Sequence, residues 1–254
     1  MKKAVVSIGV GEMGGVFVRG ILRLGYPVIP VTRDMNMNDV ANEVGDPEAV
    51  LVSVAEKDID AVLATIPQAW RDRLILLQNE LLPRDWQKHG IESPTVISVW
   101  FEKKPGQDFK VLIQSPVFGP HSKLVADALT ALGIPVNILG SEDELLQELV
   151  LKNVYILTTN IAGLETGGTV SELWSKHEAI ARKVADDVMD IQSHLTNKQL
   201  DREQLIKGML VAFDGDPDHN CMGRSAPARL ERALRIADEA GLAVMKLREI
   251  SSQA

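Results

Sequence analysis

The chain has 254 residues, of which 45% are apolar, so it can bury a substantial core as one large domain or as two small ones. Its 35 acidic and 27 basic residues give a formal charge of -8, which argues against nonspecific nucleic-acid binding, because a polyanion is bound by basic clusters. Cys221 is the single cysteine, which excludes an internal disulfide and a multi-cysteine metal site within one chain.

The sequence predicts a cytoplasmic protein. The apolar run before the first glycines is too short for the core of a signal peptide. No later stretch reaches the roughly 18 uninterrupted apolar residues of a membrane-spanning helix. We therefore expect neither a membrane nor a nucleic acid as a partner.

The first 140 residues alternate short β-branched runs with helical patterns, which is typical of parallel βαβ units. Right-handed crossovers between such units predict an open, doubly wound sheet, with a ligand at the carboxyl ends of its strands and room for an antiparallel edge among the late strands. The predicted strands are residues 4–8, 28–31, 49–53, 74–77, 95–99 and 111–114, and the predicted helices lie near 13–24, 58–66 and 123–132.

After Gly140 the pattern becomes helical. Residues 141–144 have capping-box spacing and open an apolar stretch that runs to about Leu164. Further helices are predicted over residues 175–195, 198–211 and 226–240, with Gly241 as a C-terminal stop. We therefore expect a Rossmann-like α/β domain over residues 1–140 and an all-helical domain over residues 141–254.

A glycine motif connects the first predicted strand to the first predicted helix. It matches GxGxxG, in which the glycines permit a tight turn, close approach of the backbone to a pyrophosphate and close packing of helix on strand. The helix N-terminus adds free N–H donors for the anion. In this context we predict a dinucleotide site at Gly9, Val10, Gly11, Glu12, Met13 and Gly14.

The end of the second predicted strand favours NADP(H) as the dinucleotide. The guanidinium of Arg33 offers a planar set of donors to a 2'-phosphate, and Thr32 can add a hydroxyl. Asp34 keeps NAD open as the alternative, because a strand longer by one residue would place this carboxylate at the ribose hydroxyls.

Two polar side chains interrupt the apolar helix predicted after residue 141. Lys152 and Asn160 are eight residues apart, which places them two turns apart on one broad face of the helix. A buried ammonium is costly unless it is paired or its pKa is lowered, and a desolvated lysine could serve as a general acid. From spacing alone, a Lys152 side chain that reaches solvent or neutralises a carboxylate is slightly favoured over a catalytic role.

Five short segments follow one another along the chain: GVGEMG with Arg33, Gln78-Asn79-Glu80, Phe118-Gly119-Pro120, KNVYILTTNIAGL at residues 152–164, and Gly241-Leu242-Ala243-Val244. Together they resemble the ketopantoate reductase family over most of the chain. In that family they correspond to an NADP fingerprint, an HNG or QNG segment, an IGP or FGP turn, a K-x3-N-x3-N helix and a closing segment. The resemblance implies a helical second domain of the 6-phosphogluconate dehydrogenase C-terminal type.

The resemblance also implies roles for three residues. Lys152 would be the general acid, Asn160 an amide that orients cofactor or substrate, and Asn79 a contact close to the nicotinamide. Two departures matter, since the middle Asn of the family's helix falls on Ile156, and the family's catalytic-site Glu falls on Ser225. Neither replacement can supply the chemistry of the original side chain.

A polar loop at residues 214–225 is the candidate replacement for the lost substrate contacts. Asn220, Arg224 and Ser225 are its substrate-binding candidates, and Arg224 could hold a carboxylate in bidentate fashion. The alternative for each is a loop polar group or, for Ser225, a helix cap. A calcium loop is excluded, because His219 stands where glycine is required and position 225 lacks the bidentate glutamate, so no metal site is predicted.

These features predict an NADPH-dependent oxidoreductase that reduces the carbonyl of a small 2-keto acid, with ketopantoate itself a poor substrate. The first alternative is an NADP(H)-binding sensor or regulatory protein without catalysis. The second is a prephenate- or pyrroline-carboxylate-type dehydrogenase, which the lysine helix and the lack of a plausible catalytic histidine in the helical half disfavour. The expected partner is a small-molecule substrate, and a homodimer stays open.

Overall fold

The computed structural model describes residues 2–253 and contains two compact units that divide after Leu149. The division falls inside a long helix, α6 (Glu142–Thr166), whereas the boundary predicted near Gly140 lies just before this helix begins. Within the described residues, no helix combines the length and the apolar character needed to cross a membrane.

The first unit is built on a seven-stranded sheet with flanking helices, the Rossmann-like architecture expected from the sequence. The strand order is β2-β1-β3-β4-β5-β8-β9. Strands β1 to β5 are parallel, β8 pairs antiparallel with β5, and β9 is parallel to β8. The strands of this sheet are β1 (Val5–Ile8), β2 (Val28–Val31), β3 (Ala49–Val52), β4 (Leu74–Leu76), β5 (Thr95–Ile97), β8 (Ser115–Phe118) and β9 (Val136–Ile138).

Continuous apolar runs form the central strands, because a parallel sheet covered by helices buries both of its faces. Every residue of β1 and β3 is buried. On one face, Val16, Phe17 and Ile21 of helix α1 pack into a cluster with β-strand side chains and with helix α5. The helices of this unit are α1 (Glu12–Arg23), α2 (Met37–Val44), α3 (Ile59–Thr65), α4 (Pro83–Gln87) and α5 (Ser122–Thr130).

The strand predicted at residues 111–114 is wrong. The chain there leaves one sheet and enters another: β6 (Phe101–Lys103) and β7 (Phe109–Val111) form a separate antiparallel hairpin, and β8 begins at Ser115. Residues 112–114 connect them, and the N–H of Leu112 donates to the carbonyl of Trp100 over 2.8 Å. Residues 111–113 are apolar as in a strand, so their composition alone does not reveal that β7 ends at Val111.

The second unit is all helical, as the sequence predicts. It contains most of α6 together with α7 (Val170–Thr196), α8 (Arg202–Gly215), α9 (Ala226–Ala240) and α10 (Met245–Gln253). Helix α7 begins five residues before the predicted start at 175, where Thr169 and Glu172 form a capping box, and α8 begins after its cap Asp201 rather than at 198. Gly241 ends α9 in the left-handed conformation, with φ of 67°.

The last helix is held by side chains of two earlier helices of the same unit. The carboxylate of Asp187 accepts hydrogen bonds from the backbone N–H groups of Lys246 and Leu247, at 2.7 and 3.0 Å. The buried ammonium of Lys246 lies 2.8 Å from the carboxylate of Glu165 in α6. Capping and ion pairing therefore fix α10, which the sequence analysis did not predict.

Helices α1 and α5 cross at Gly20, where no side chain fits. A Cβ atom on Gly20 would lie 2.2 Å from the carbonyl oxygen of Ala128, which is backbone and cannot move aside. We expect Gly20→Ala to lower the free energy of unfolding by about 1–3 kcal/mol, the usual cost of overpacking.

Gly15→Ala is the matched control, because Gly15 lies in the same helix with no heavy atom within 4 Å of its Cβ position. Relief of the glycine penalty should raise the free energy of unfolding by up to about 1 kcal/mol. Chemical denaturation measures both variants, and equal effects at the two positions would contradict the close crossing.

Candidate functional site

Several residues with small or polar side chains lie just beyond the carboxyl ends of the parallel strands of the first unit. Since β2, β1, β3 and β4 are parallel, the segments after them lie at one edge of the sheet. Gly9, Thr32, Ser53 and Gln78 stand within two residues of these strand ends. Strands β2 and β3 lie on either side of β1, so the sheet reverses its winding beside the glycine turn, where α/β proteins bind ligands.

The three motif glycines each meet a different geometric demand. Gly9 has φ of 88°, and a Cβ there would lie 2.9 Å from the carbonyl oxygen of Ser53. A Cβ on Gly14 would lie 2.3 Å from the hydroxyl of Ser53, whereas nothing lies within 4 Å of that position on Gly11. The motif thus has a turn glycine, a packing glycine and, between them, an unobstructed glycine.

Ser53, which the sequence analysis did not single out, holds this turn on strand β3. Its hydroxyl donates to the carbonyl of Gly9 over 2.7 Å, and its N–H donates to the carbonyl of Ile8 over 2.8 Å. A small hydroxyl directly after a buried strand is the only signal in the sequence that could have identified it.

The N-terminus of α1 is open to an incoming anion. Gly11 is the N-cap residue and supplies no side-chain hydrogen bond, so the first N–H groups of the helix are not satisfied by a cap. Val10, Gly11 and Glu12 are exposed, and Met13 is half-buried. A turn of this kind can accept a pyrophosphate through backbone donors and the helix dipole.

Arg33 projects from the turn after β2 with 91% of its side chain exposed. Its guanidinium lies 3.8 Å from the carboxylate of Asp58, an ion pair too exposed to fix it firmly. Thr32 and Asp34 are exposed in the same turn. A cationic side chain at this edge could accept a phosphate on the adenosine ribose.

The segment after β4 places one amide in the core and one at the edge. Gln78 is buried and donates to the carbonyl of Val52 over 2.7 Å. Asn79 is half-buried, and its amide donates to the carboxylate of Glu56 over 2.9 Å. Glu80 has φ of 61°, a left-handed conformation that favours glycine, the residue that the resembling family has there.

The Phe118-Gly119-Pro120 turn lies at the opposite edge of the sheet. Gly119 has φ of 123°, and a Cβ there would lie 2.6 Å from Cα of Thr95, so the segment resembling the IGP turn serves packing. A cavity of about 380 Å³ adjoins it, lined by residues that include Trp86, Pro94 and Phe118. This cavity is separate from the glycine turn.

In the second unit, α6 buries both polar side chains singled out from the sequence. Lys152 is 9% exposed and Asn160 is 8% exposed. The ammonium of Lys152 lies 5.4 Å from the centroid of the Tyr155 ring, a cation–π contact one turn along the helix. Ile156, at 6% exposed, lies between the two polar residues and adds only apolar surface to this face.

Asn160 anchors a second cation, which the sequence analysis missed. Its side-chain oxygen accepts hydrogen bonds from the guanidinium of Arg229 at 3.1 Å and from the N–H of Gly223 at 3.4 Å. Its amide nitrogen donates to the carbonyl of Ile156 over 2.9 Å. Arg229 is buried on the inner face of α9 with Ala226 and Ala233, and that helical spacing could have revealed it.

The three loop candidates are exposed. Asn220 forms an isolated β-bridge with Thr169, and Arg224 lies at the surface. Ser225 is the N-cap residue of α9, yet its side chain makes no capping hydrogen bond. Burial raises the pKa of the Cys221 thiol to about 11, so this cysteine is protonated at neutral pH and cannot act as a thiolate nucleophile.

Comparisons with known proteins identify the fold. No family model matches the sequence, and no curated protein matches it either. Among solved structures, a 2-dehydropantoate 2-reductase from Methylococcus capsulatus is 12% identical, with a TM-score of 0.70 over 98% of this chain and 95% of that one. A dimeric ketopantoate reductase from Staphylococcus aureus is 16% identical, with a TM-score of 0.68 over 98% and 96%.

A D-mandelate dehydrogenase, solved with NADH and anilino(oxo)acetate, is 12% identical, with a TM-score of 0.65 over 98% of this chain and 96% of that one. At such low identity these likenesses establish a shared fold. The fold that the resemblance implied is therefore confirmed: the chain has the two-domain fold of the ketopantoate reductases.

The open space at Gly11 allows a substitution that distinguishes a turn that binds NADPH from one that serves only the fold. Gly11→Ala should lower the melting temperature by no more than about 2–4 °C, the cost of alanine at an N-cap, because its added methyl group meets no protein atom. The methyl group would occupy the face that a pyrophosphate must approach, so affinity for NADPH should fall about tenfold or more.

Gly14→Ala is the contrasting variant, and it should lower the melting temperature because its methyl group collides with Ser53. Thermal melting and NADPH titration are measured on both variants. Unchanged NADPH affinity in Gly11→Ala would mean that the glycines serve only the fold.

Proposed function

We propose that the chain is an NADPH-dependent oxidoreductase, a divergent relative of the ketopantoate reductases, that reduces the carbonyl of a small 2-keto acid. The observation that carries the proposal is the glycine turn, in which Gly9, Gly11 and Gly14 each have the geometry that a dinucleotide requires. The first unit would hold the cofactor, and the helical unit would supply substrate and dimer contacts. The dimeric state of the Staphylococcus aureus reductase supports the latter.

NADP(H) is the proposed cofactor because of Arg33. Its exposed guanidinium can donate two hydrogen bonds to a dianionic 2'-phosphate. The D-mandelate dehydrogenase of the same fold was solved with NADH, so the fold itself does not set this preference. Asn79, half-buried after β4, would lie close to the nicotinamide.

Lys152 is the proposed general acid. A reduced nicotinamide, when bound, would supply the hydride for the carbonyl carbon. As the π electrons of the carbonyl move to its oxygen, the ammonium of Lys152 would donate a proton to that oxygen and become a neutral amine, so a keto acid becomes a hydroxy acid. Burial of Lys152 supports this role, because an ammonium removed from water interacts strongly with a developing oxyanion. Asn160 would be a positioning residue, holding Arg229 and the loop that carries Asn220, Arg224 and Ser225.

The substrate is proposed to differ from ketopantoate. Ile156 offers no hydrogen bond where the family has an amide, and Ser225 offers no negative charge where the family has a glutamate. A 2-keto acid that is more apolar than ketopantoate would fit a site lined by Ile156 and Ser225 better. Efficient turnover of ketopantoate in a steady-state assay would contradict this part of the proposal.

The function is tested by incubating the purified protein and NADPH with each member of a panel of 2-keto acids. The rate of NADPH oxidation is measured in each reaction. Lys152→Met should lower turnover of the best substrate by about 100-fold or more, since it removes the proton donor, and it should leave NADPH affinity within about twofold. Lys207→Met, which removes an exposed lysine of α8, is the matched control and should change neither quantity. Equal turnover in wild type and Lys152→Met would mean that Lys152 is not the general acid.

Tight binding of NADPH with no oxidation by any keto acid would instead favour the sensor hypothesis. The loss of an amide at Ile156 and of a carboxylate at Ser225 is the observation that keeps this second function open.

Arg33 generates a separate prediction about the cofactor. Arg33→Gln should weaken NADPH binding about tenfold or more and leave NADH binding unchanged, because only NADPH carries the 2'-phosphate. The side chain is almost fully exposed, so the melting temperature should not change. A wild-type protein that prefers NADH would overturn the assignment and point to Asp34 as the ribose ligand.

A further inference from the structure

A lysine from the β6–β7 hairpin reaches the glycine turn. The ammonium of Lys103 lies 2.8 Å from the carboxylate of Glu12, which is the first residue of α1 and follows Gly11 directly. The Lys103 side chain is only 16% exposed, whereas Glu12 is 47% exposed. The pair therefore places a largely buried ammonium beside the N-terminus of α1.

The position of Lys103 is fixed because the hairpin packs along α1. The rings of Phe17 and Phe101 are 6.1 Å apart between centroids, and Phe101 in turn meets Phe109 at 6.4 Å. Farther along the helix, the guanidinium of Arg19 lies 5.7 Å from the centroid of the Phe109 ring. Aromatic packing thus holds the strand that carries the lysine against the helix that carries the turn.

Glu12 creates an electrostatic problem for a phosphate ligand. A carboxylate at the first helical position interacts favourably with the helix dipole, but it repels a second anion at the same N-terminus. Lys103 offsets this charge. Its ammonium has three N–H donors, of which one binds Glu12 and one binds the carbonyl of Lys104 at 2.8 Å. Among residues 2–253, no acceptor is seen for the third.

We propose that Lys103 is a cofactor-binding residue, whose ammonium donates to the diphosphate of the bound dinucleotide while it remains paired with Glu12. The inference rests on the proposed function and extends it, because the motif and the family resemblance assign the diphosphate to the glycine turn alone. The ligand chemistry is a diphosphate dianion, which favours a point charge at the rim of a helix N-terminus.

The test is a double-mutant cycle on NADPH affinity, with no need for a substrate. Lys103→Met keeps the apolar stem and should raise the Kd about tenfold. Glu12→Gln should keep the Kd or lower it by about threefold, because it removes repulsion. The double variant Glu12→Gln/Lys103→Met distinguishes the two roles of Lys103. Its affinity should stay weakened about three- to tenfold if Lys103 contacts the diphosphate, and a return to wild-type affinity would show that Lys103 only neutralises Glu12.

Lys104→Met is the matched control on the same hairpin, since Lys104 pairs with Glu102 rather than with Glu12. It should change the Kd by less than about twofold, and the weakening caused by Lys103→Met should shrink at high salt. Thermal melting of each variant checks that it folds. If wild type binds NADPH and Lys103→Met binds it equally well, or if Lys104→Met weakens binding as much, the inference alone is overturned. If wild type fails to bind NADPH, the proposed function is overturned with it.

Discussion

The close approach of helix α1 to the end of strand β3 is the constraint on which the rest of the site depends. Ser53 accommodates the turn only because Gly9 and Gly14 have no Cβ, and the hydroxyl of Ser53 then fixes the carbonyl of Gly9. This packing directs the open end of α1 toward the sheet's carboxyl edge and leaves Gly11 unobstructed. The fold thus stabilises a helix N-terminus in a conformation that the helix alone would not supply.

The helical unit bears a different constraint, the burial of cations. Lys152 and Arg229 each lie below a tenth exposed, and such groups are retained in a core only with compensating partners. Tyr155 lies beside the first, and Asn160 binds the second. Buried cations of this kind suit a substrate with a carboxylate and a polarised carbonyl, which is the chemistry of the proposed reaction.

Sequence patterns predicted the parts of the fold that local physics determines. The bounds of β2 and α9 match the predicted residues 28–31 and 226–240, since an apolar run ending in a polar turn and a helix between a proline and a C-terminal glycine are unambiguous. The hairpin at β6 and β7 was missed although Pro105-Gly106 between its strands is a turn signal, since each strand has only three residues. Helix α2 was missed although Met37, Val40, Ala41 and Val44 have the spacing of one helical face, since it spans only eight residues.

Long-range contacts set the parts of the site that the sequence could not reveal. The glycine motif and the polar residues of α6 were identifiable, because each breaks or completes a local pattern. Ser53 and Lys103 became visible only when the fold placed them at the turn, 44 and 91 residues from their partners Gly9 and Glu12. The left-handed conformation of Glu80 could not be predicted either, because it has no sequence signature. It costs about 1–2 kcal/mol relative to glycine.

The most direct test of a dinucleotide site at the glycine turn is the change in backbone amide chemical shifts of isotope-labelled protein as NADPH is added. The largest changes are expected at the amides of Gly11, Glu12 and Gly14, because the diphosphate would bind these N–H groups, with a second set around Arg33, which would bind the 2'-phosphate. Unchanged shifts at the glycine turn, or changes confined to the cavity beside Phe118, would contradict a dinucleotide site at this edge of the sheet.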